Sequence, residues 1–478
     1  MNRGGFRSLP LSFSRTLIPV ALLVFGAPFI GLLFYASMNF DDFAKATLTG
    51  QCEATVHRTM MGMAWIVYTS STGRWVTALL QALVMSRVNL ITYYGWLLLM
   101  VLLTNIAAVS YFFASFFRVS PRRALLAGAA FYAAWLAGVA SPGENVFWLT
   151  GAMEYQLPIS TLLILGGTLC KSEHTILSYI VLAVLAIAIP GQHEIAGAFL
   201  LVCLLAGVAV ARVLKLPAGQ WWLSLGLVVL SVAAIMFSPA KTYELAHDKP
   251  SWDVVHVLPY AKSAVVYAID WALHPAVLLC AFCLPVMLWT GEASSATPEF
   301  LPPRWLAIAG LGAMGVLLVE FAGAGVTIAS SYGQVPERAV GWFQFVFWLL
   351  LVCVIVTGVP EIAQIRFSPS SRIVMLTLFA LSLLGSGNFR RAEKDLRGPA
   401  RPYWKSSIAR LKERGDSLQF EPLPPKPALF RETMLSPDMR CLANRCMAMY
   451  LGASTVVVKS PGESPLFLQH PWGCGLKP

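Results

Sequence analysis

Two adjacent aspartates, Asp41-Asp42, stand in Asn39-Phe40-Asp41-Asp42-Phe43, directly after a long apolar run. Paired carboxylates at a membrane surface repel each other and cost desolvation. One use for them is a base held ionised while its neighbour binds a cation or an acceptor hydroxyl; the plainer use is an acidic end to a membrane helix. Thr72-Gly73-Arg74-Trp75 sets a guanidinium beside an indole, which suits a phosphate next to a sugar or lipid headgroup and equally an interfacial anchor. The segment 141–156 carries Glu144, Asn145, Trp148, Glu154 and Tyr155 with no basic residue. Aromatic faces with carboxylates and amides are what a sugar ring wants, although a re-entrant turn in an aromatic belt has the same composition. Pro190-Gly191-Gln192-His193-Glu194 puts an ionisable pair close to the bilayer, which makes it a functional candidate. His193 and Glu194 point apart on a helix and have no i, i+4 partner, so no metal site is assigned. Lys241, in Ser238-Pro239-Ala240-Lys241, and Arg338, in Val335-Pro336-Glu337-Arg338, add one cation each; with Arg74 they could hold a phosphate or diphosphate.

The elements that must position these residues are membrane helices. The chain has 478 residues, of which 57% are hydrophobic and 12% charged, with a mean hydropathy of +0.66. Ordinary soluble domains carry about 25% charged residues, so the composition excludes a water-soluble enzyme, a disordered chain and a disulfide-scaffold peptide. Apolar blocks such as 17–38 and 95–117 approach the roughly 20 residues needed to cross a bilayer core. The expected fold is an all-α polytopic membrane protein with about eleven spans, at 17–38, 93–117, 123–140, 156–170, 175–190, 195–212, 221–238, 271–290, 305–329, 339–359 and 373–387. The first is too long for a signal-peptide core, and Asn39 to Asp42 is no small-residue cleavage site.

Lys and Arg in short loops set the orientation. With the N-terminus inside, the inner face holds Arg3, Arg7, Arg15, Arg118, Arg122, Arg123, Lys171, Arg212, Lys215, Arg304, Arg366 and Arg372, whereas the short outer loops hold only Arg338. That bias places the long first loop 39–92, the 239–270 loop and the C-terminus outside, and the polar clusters with them. The chemical plan is then an active site at the outer membrane boundary, reached by a lipid-borne substrate from the side and a polar acceptor from above.

Residues 1–387 form the membrane domain and 388–478 a basic, Pro-rich outer segment with fifteen Lys and Arg residues. Its spacing predicts a helix over 403–418 and a strand over 447–459, the whole lying on the membrane face and attracted to anionic headgroups. The net charge of +11 is spread over inner loops and this tail, so no nucleic-acid partner is expected. Cys441, Cys446 and Cys474 fall where disulfides persist, and a 441–446 bridge is one pairing. Cys280 and Cys283 form a CxxC inside an apolar block, where cysteine behaves as a small hydrophobe. No internal repeat, phosphate-binding GxxxxGK[ST] loop or HExxH motif occurs.

The arrangement resembles the GT-C superfamily, the multi-pass glycosyltransferases that use polyprenyl-phosphate-linked sugars, in which an acidic motif follows the first helix as Asp41-Asp42 does. The ordered set is Asp41-Asp42-Phe43, Gly73-Arg74, Trp148-Leu149-Thr150-Gly151-Ala152, Tyr155-Gln156-Leu157-Pro158, His193-Glu194 and Pro336-Glu337-Arg338. It is similar to a bacterial group of GT-C-like proteins near the type IV pilin arabinosyltransferases. Tyr403-Trp404, Asp438, Asn444 and Tyr450-Leu451-Gly452 look like that group's C-terminal segment, while Met153-Glu154 departs from it where an Asn commonly precedes the Tyr.

The resemblance implies a bacterial inner-membrane enzyme that takes a sugar from a polyprenyl-phosphate donor to a periplasmic or cell-surface acceptor. It implies Asp41 or Asp42 as general base, Arg74 and Arg338 on the leaving phosphate, and Glu154, His193 and Glu194 on sugar or acceptor. Some relatives use a divalent cation; the residues here do not demand one. The competing readings are a lipid-linked sugar flippase or transporter, which would place ionisable residues at mid-membrane as at Glu320, and an assembly factor whose basic tail binds a partner.

Overall fold

The computed structural model describes residues 11–48, 59–70, 72–171, 174–213, 215, 218–247, 254–289, 305–332, 335–358, 369–430, 435 and 441–459. Arg3, Arg7, Cys52, Arg304, Arg366, Asp438 and Cys474 lie outside them.

Helices follow the apolar blocks in order: α1 (Leu11–Leu33), α2 (Phe40–Ala46), α3 (Met60–Ser70), α4 (Trp75–Met85), α5 (Leu90–Phe117), α6 (Pro121–Gly138) and the short α7 (Pro142–Asn145) and α8 (Leu149–Gly151). A π-turn at Ala152–Gln156 then runs into α9 (Leu157–Leu169). The bundle continues with α10 (Ile176–Gln192), α11 (Glu194–Val213), α12 (Gly219–Met236), α13 (Pro239–His247), α14 (Val254–Leu273), α15 (Pro275–Trp289), α16 (Trp305–Tyr332), α17 (Glu337–Gly358) and α18 (Pro369–Leu384). The tail contributes α19 (Gly387–Arg397), α20 (Ala400–Lys412), β1 (Ser417–Phe420), α21 (Leu442–Leu451) and β2 (Thr455–Val458).

Among the described residues six helices are long and apolar enough to cross a membrane, or up to eight if each of two bent pairs is one span. The chain is thus a helical, multi-pass membrane protein. A helix lies at every one of the eleven expected spans, but α9, α10, α15 and α18 are shorter than the expected crossing length. The region 239–270, expected as an outer loop, instead contains α13 and most of α14. The expected span 271–290 is the second arm of a pair bent by 52°. The break falls at His274-Pro275, because proline has no N–H to continue the ladder.

Inside a bilayer, helix association comes from close packing and interhelical hydrogen bonds rather than from expulsion of water. Helix α17 is the centre of the bundle: 78% of its span is buried inside the protein, against 17% for α16. Its Trp342, Phe343, Phe345 and Trp348 are fully enclosed. Small residues admit the neighbours. A Cβ on Gly138 would fall 2.5 Å from the Trp348 ring and 2.8 Å from His274. Gln344 Nε2 also donates to the Gly138 carbonyl at 3.1 Å.

The tail docks on the protein itself. Asn388 Nδ2 donates to the carbonyls of Leu136 and Val139 at 3.0 and 2.8 Å, which fixes the start of the tail to the end of α6. Phe43 of α2 meets Tyr450 (5.2 Å between ring centroids), and Phe147 meets Phe430 at 5.5 Å. The predicted helix over 403–418 is Ala400–Lys412 followed by β1. The predicted strand over 447–459 is the end of α21 and then β2. Gly452, at φ +73°, caps that helix in the left-handed region open to glycine. Strands β1 and β2 pair in parallel, so the fold is not purely helical. Cys170, Cys203, Cys280, Cys283 and Cys353 are free thiols, and Cys441 and Cys446 are both disulfide-bonded.

Candidate functional site

The site begins where α1 ends. Asn39 caps α2, and its N–H donates to Asp42 Oδ2 at 2.8 Å, the reach-back half of a capping box. The same oxygen takes the Tyr94 hydroxyl at 2.8 Å. Oδ1 takes the Thr150 N–H at 3.0 Å and its Oγ1 at 2.7 Å. Tyr94 in turn accepts the Leu149 N–H at 3.0 Å. Asp42 is fully enclosed, and burial pushes its carboxyl above the usual range against the pull of these donors. It therefore ties three separated segments together. Asp41, its neighbour on the first turn of α2, is half-buried.

The segment tied down by Asp42 carries the aromatic and acidic residues. Gly151 lies so close to the Trp148 ring and the Glu144 carbonyl that a Cβ would stand 2.3 and 2.6 Å from them. The π-turn that follows, a form frequent at functional sites, offers Glu154 and Tyr155 to one side. Gln81 of α4 fixes that turn through Nε2, which donates to the Thr150 carbonyl at 3.3 Å and to Glu154 Oε1 at 3.4 Å.

Arg74 enters from the start of α4. Gly73 before it has φ +76° and lies 3.1 Å, at its would-be Cβ, from Ser238 Oγ, so a side chain there would be both strained and crowded. Arg74 Nε and Nη2 donate to the two oxygens of Glu194 at 2.6 and 2.9 Å. Its Nη1 stands 3.9 Å from Glu154, and its guanidinium lies 5.9 Å from the Tyr155 ring centre. Lys241 Nζ is 3.6 Å from Glu194 Oε1. On the other side Arg338 pairs with Glu144 at 3.7 Å, donates its backbone N–H to Glu144 Oε2 at 3.2 Å and reaches the Tyr155 hydroxyl at 3.4 Å. Its guanidinium covers the Trp148 and Tyr155 rings at 5.3 and 5.8 Å, within cation–π range.

His193, in the turn between α10 and α11, closes the floor. Its ring meets Tyr155 edge-on at 4.8 Å and stacks parallel to Trp342 at 6.3 Å. It is enclosed, and among the described residues neither ring nitrogen has a hydrogen-bond partner. Burial, then the nearby Arg74, Lys241 and Arg338 cations, pushes its pKa down to about 3 despite the opposing pull of Glu194, so it is a neutral imidazole.

All nine sequence-expected binding residues (Arg74, Glu144, Trp148, Glu154, Tyr155, His193, Glu194, Lys241 and Arg338) thus join one connected cluster, linked to Asp42 through Thr150 and Gln81. The six charged side chains keep between 14% and 27% of their surface exposed, so the cluster is part-buried and not sealed. Three cations face three carboxylates. Sequence reasoning missed Gln81, Tyr94 and Trp342. They sit in apolar helices, where a polar atom on one helical face leaves no local pattern. Among the described residues no three His, Cys, Asp or Glu side chains are grouped to hold a metal. Comparison of the chain with protein-family models, with curated proteins and with solved structures gives no match.

Proposed function

We propose that the chain is a GT-C-type membrane glycosyltransferase that moves a sugar from a polyprenyl-phosphate donor to a hydroxyl of a periplasmic or cell-surface acceptor. The observation that carries this reading is the convergence of Arg74, Lys241 and Arg338 with Trp148, Tyr155 and the half-buried carboxylates. These residues lie far apart in sequence and form one part-exposed cluster. Guanidinium groups suit the phosphate, and the aromatic faces suit the ring of the sugar.

In the proposed step the acceptor oxygen attacks the anomeric carbon while the bond from that carbon to the phosphate oxygen breaks. The hydroxyl proton passes to a carboxylate, and polyprenyl phosphate leaves with the bonding pair. Asp41 is the better base of the aspartate pair, since it is half-buried and open to an acceptor whereas Asp42 is closed off from solvent. General-base help is typically worth 10²–10⁴-fold, and cations at the leaving phosphate add electrostatic stabilisation. The site faces the periplasm in this reading, with the N-terminus inside and the C-terminus outside a bacterial inner membrane. The loop-charge bias and the oxidised Cys441 and Cys446 both support that side, because disulfides persist in oxidising compartments.

The test is purified full-length protein incubated with a panel of polyprenyl-phosphate sugars and cell-envelope acceptors, alongside Arg74→Gln and Arg338→Gln. Sugar transfer that falls with either substitution is expected. Lipid-sugar scrambling across vesicles without any transfer would overturn the enzyme reading in favour of a flippase.

A further inference from the structure

Glu194 occupies the place an anion would take. Its two oxygens fill the Arg74 fork at 2.6 and 2.9 Å, and Lys241 closes a third side at 3.6 Å. A guanidinium fork fits carboxylate and phosphate with the same planar geometry. The seat also lies at the amino end of α11, where the helix dipole favours negative charge.

The charges around this seat already cancel. Arg74, Lys241 and Arg338 face Glu144, Glu154 and Glu194. A phosphate added beside three carboxylates meets repulsion, whereas one that replaces Glu194 inherits both its cations. The three carboxylates also differ in how they are held. Glu144 accepts the Arg338 backbone N–H, and Glu154 is tethered by Gln81. Among the described residues, the hydrogen-bond and ion-pair partners of Glu194 are the two cations themselves. Its side chain is 27% exposed, against 23% for Glu144 and 19% for Glu154, so Glu194 is the carboxylate of the trio most open to an incoming ligand.

We propose that Glu194 is a resident stand-in ligand: it fills the Arg74–Lys241 seat in the free protein and leaves it when the phosphate of a prenyl phosphate enters. The inference rests on the phosphate reading of the cluster and adds that the seat is gated by its own carboxylate.

The test is calorimetric binding of farnesyl phosphate to the full chain in detergent micelles, with inorganic phosphate as a second arm to separate lipid from free-anion recognition. Removing the competitor in Glu194→Gln is expected to tighten farnesyl phosphate binding about tenfold, and Arg74→Gln or Lys241→Gln to weaken it by a similar factor. Glu393→Gln, in the exposed pair of the tail, is expected to leave binding within about twofold of wild type. Where Glu194→Gln does not give folded protein, Glu194→Asp replaces it; the shorter carboxylate reaches the fork less well and is expected to give a gain of about threefold. Unchanged or weaker binding in the folded Glu194 variant, with Arg74→Gln still harmful, overturns the stand-in and leaves the anion seat. Binding indifferent to Arg74 and Lys241 overturns the seat itself. A gain that disappears in EDTA also overturns displacement, because Glu194 would then act through a cation.

Discussion

Asp42 and Glu194 belong to one connected cluster and are held in opposite ways. Asp42 is closed off from solvent and satisfied by two backbone N–H groups and two hydroxyls, with no cation among its hydrogen-bond partners. Glu194 is part-exposed and held by two cations. Neutral donors in a closed pocket fix a carboxylate in one geometry, and losing it orphans buried groups. A part-exposed cation pair can exchange one anion for another. In the proposed reading this difference separates scaffold from chemistry: Asp42 aims the 148–155 segment, and Glu194 marks where a ligand's charge would go.

The largest expected effect is on the scaffold side. Asp42→Ala strands the Asn39 and Thr150 N–H groups and is expected to cost about 3–5 kcal/mol of stability, read by denaturant titration in mixed micelles. An Asp42→Ala protein as stable as wild type would erase the contrast. The next effect is pH-dependent and belongs to His193. Its folded pKa, near 3, lies below the usual value of about 6.5, so the unfolded chain binds the extra proton. Its contribution is present above about pH 6.5 and is lost as pH falls toward 3, at up to about 1.4 kcal/mol per pH unit. His193→Phe is expected to flatten the stability profile between about pH 6.5 and 4.5 relative to wild type. Parallel profiles would show that His193 titrates alike in the folded and unfolded chain.

Tyr94→Phe sharpens the comparison further. It removes the hydroxyl that bridges Asp42 to the Leu149 N–H and is expected to cost about 1.5–3 kcal/mol. The loss should be non-additive with Asp42→Ala in a double-mutant cycle; additive losses would mean that the two do not act as one tie. The smallest effect is at the tail surface. Arg397 and Glu393 form an exposed i, i+4 pair at 2.5 Å, with side chains 78% and 41% exposed. Arg397→Ala should change stability by less than about 0.5 kcal/mol, and a larger loss would show that exposed charge matters more in this tail than its geometry suggests.

Much of the site is legible in the sequence because chains between membrane helices can turn only at the two faces. Polar residues at Arg74, Glu144, His193, Lys241 and Arg338, sorted to one face by loop charge, are brought together by the bundle itself. What was not legible lies inside helices. Tyr94, Gln81 and Trp342 look like ordinary members of apolar runs, and only the register of α4, α5 and α17 turns them to the cluster. Hydropathy also reads 271–290 as one straight span, although Pro275 marks the break at which α14 and α15 bend. In the tail, the strand pattern of Thr455-Val456-Val457-Val458 does not reach back to 447, because Leu442–Leu451 is helix and Gly452 stops it. The docking of Phe43 on Tyr450 has no sequence signal, since it joins residues more than 400 positions apart.

In the proposed reaction Asp41 is the base while Asp42 is architecture. The most direct measurement reads sugar transfer and unfolding on one preparation of Asp41→Asn. The account predicts transfer reduced by at least about 10²-fold with stability within about 1 kcal/mol of wild type. An Asp41→Asn protein that transfers at the wild-type rate would contradict it.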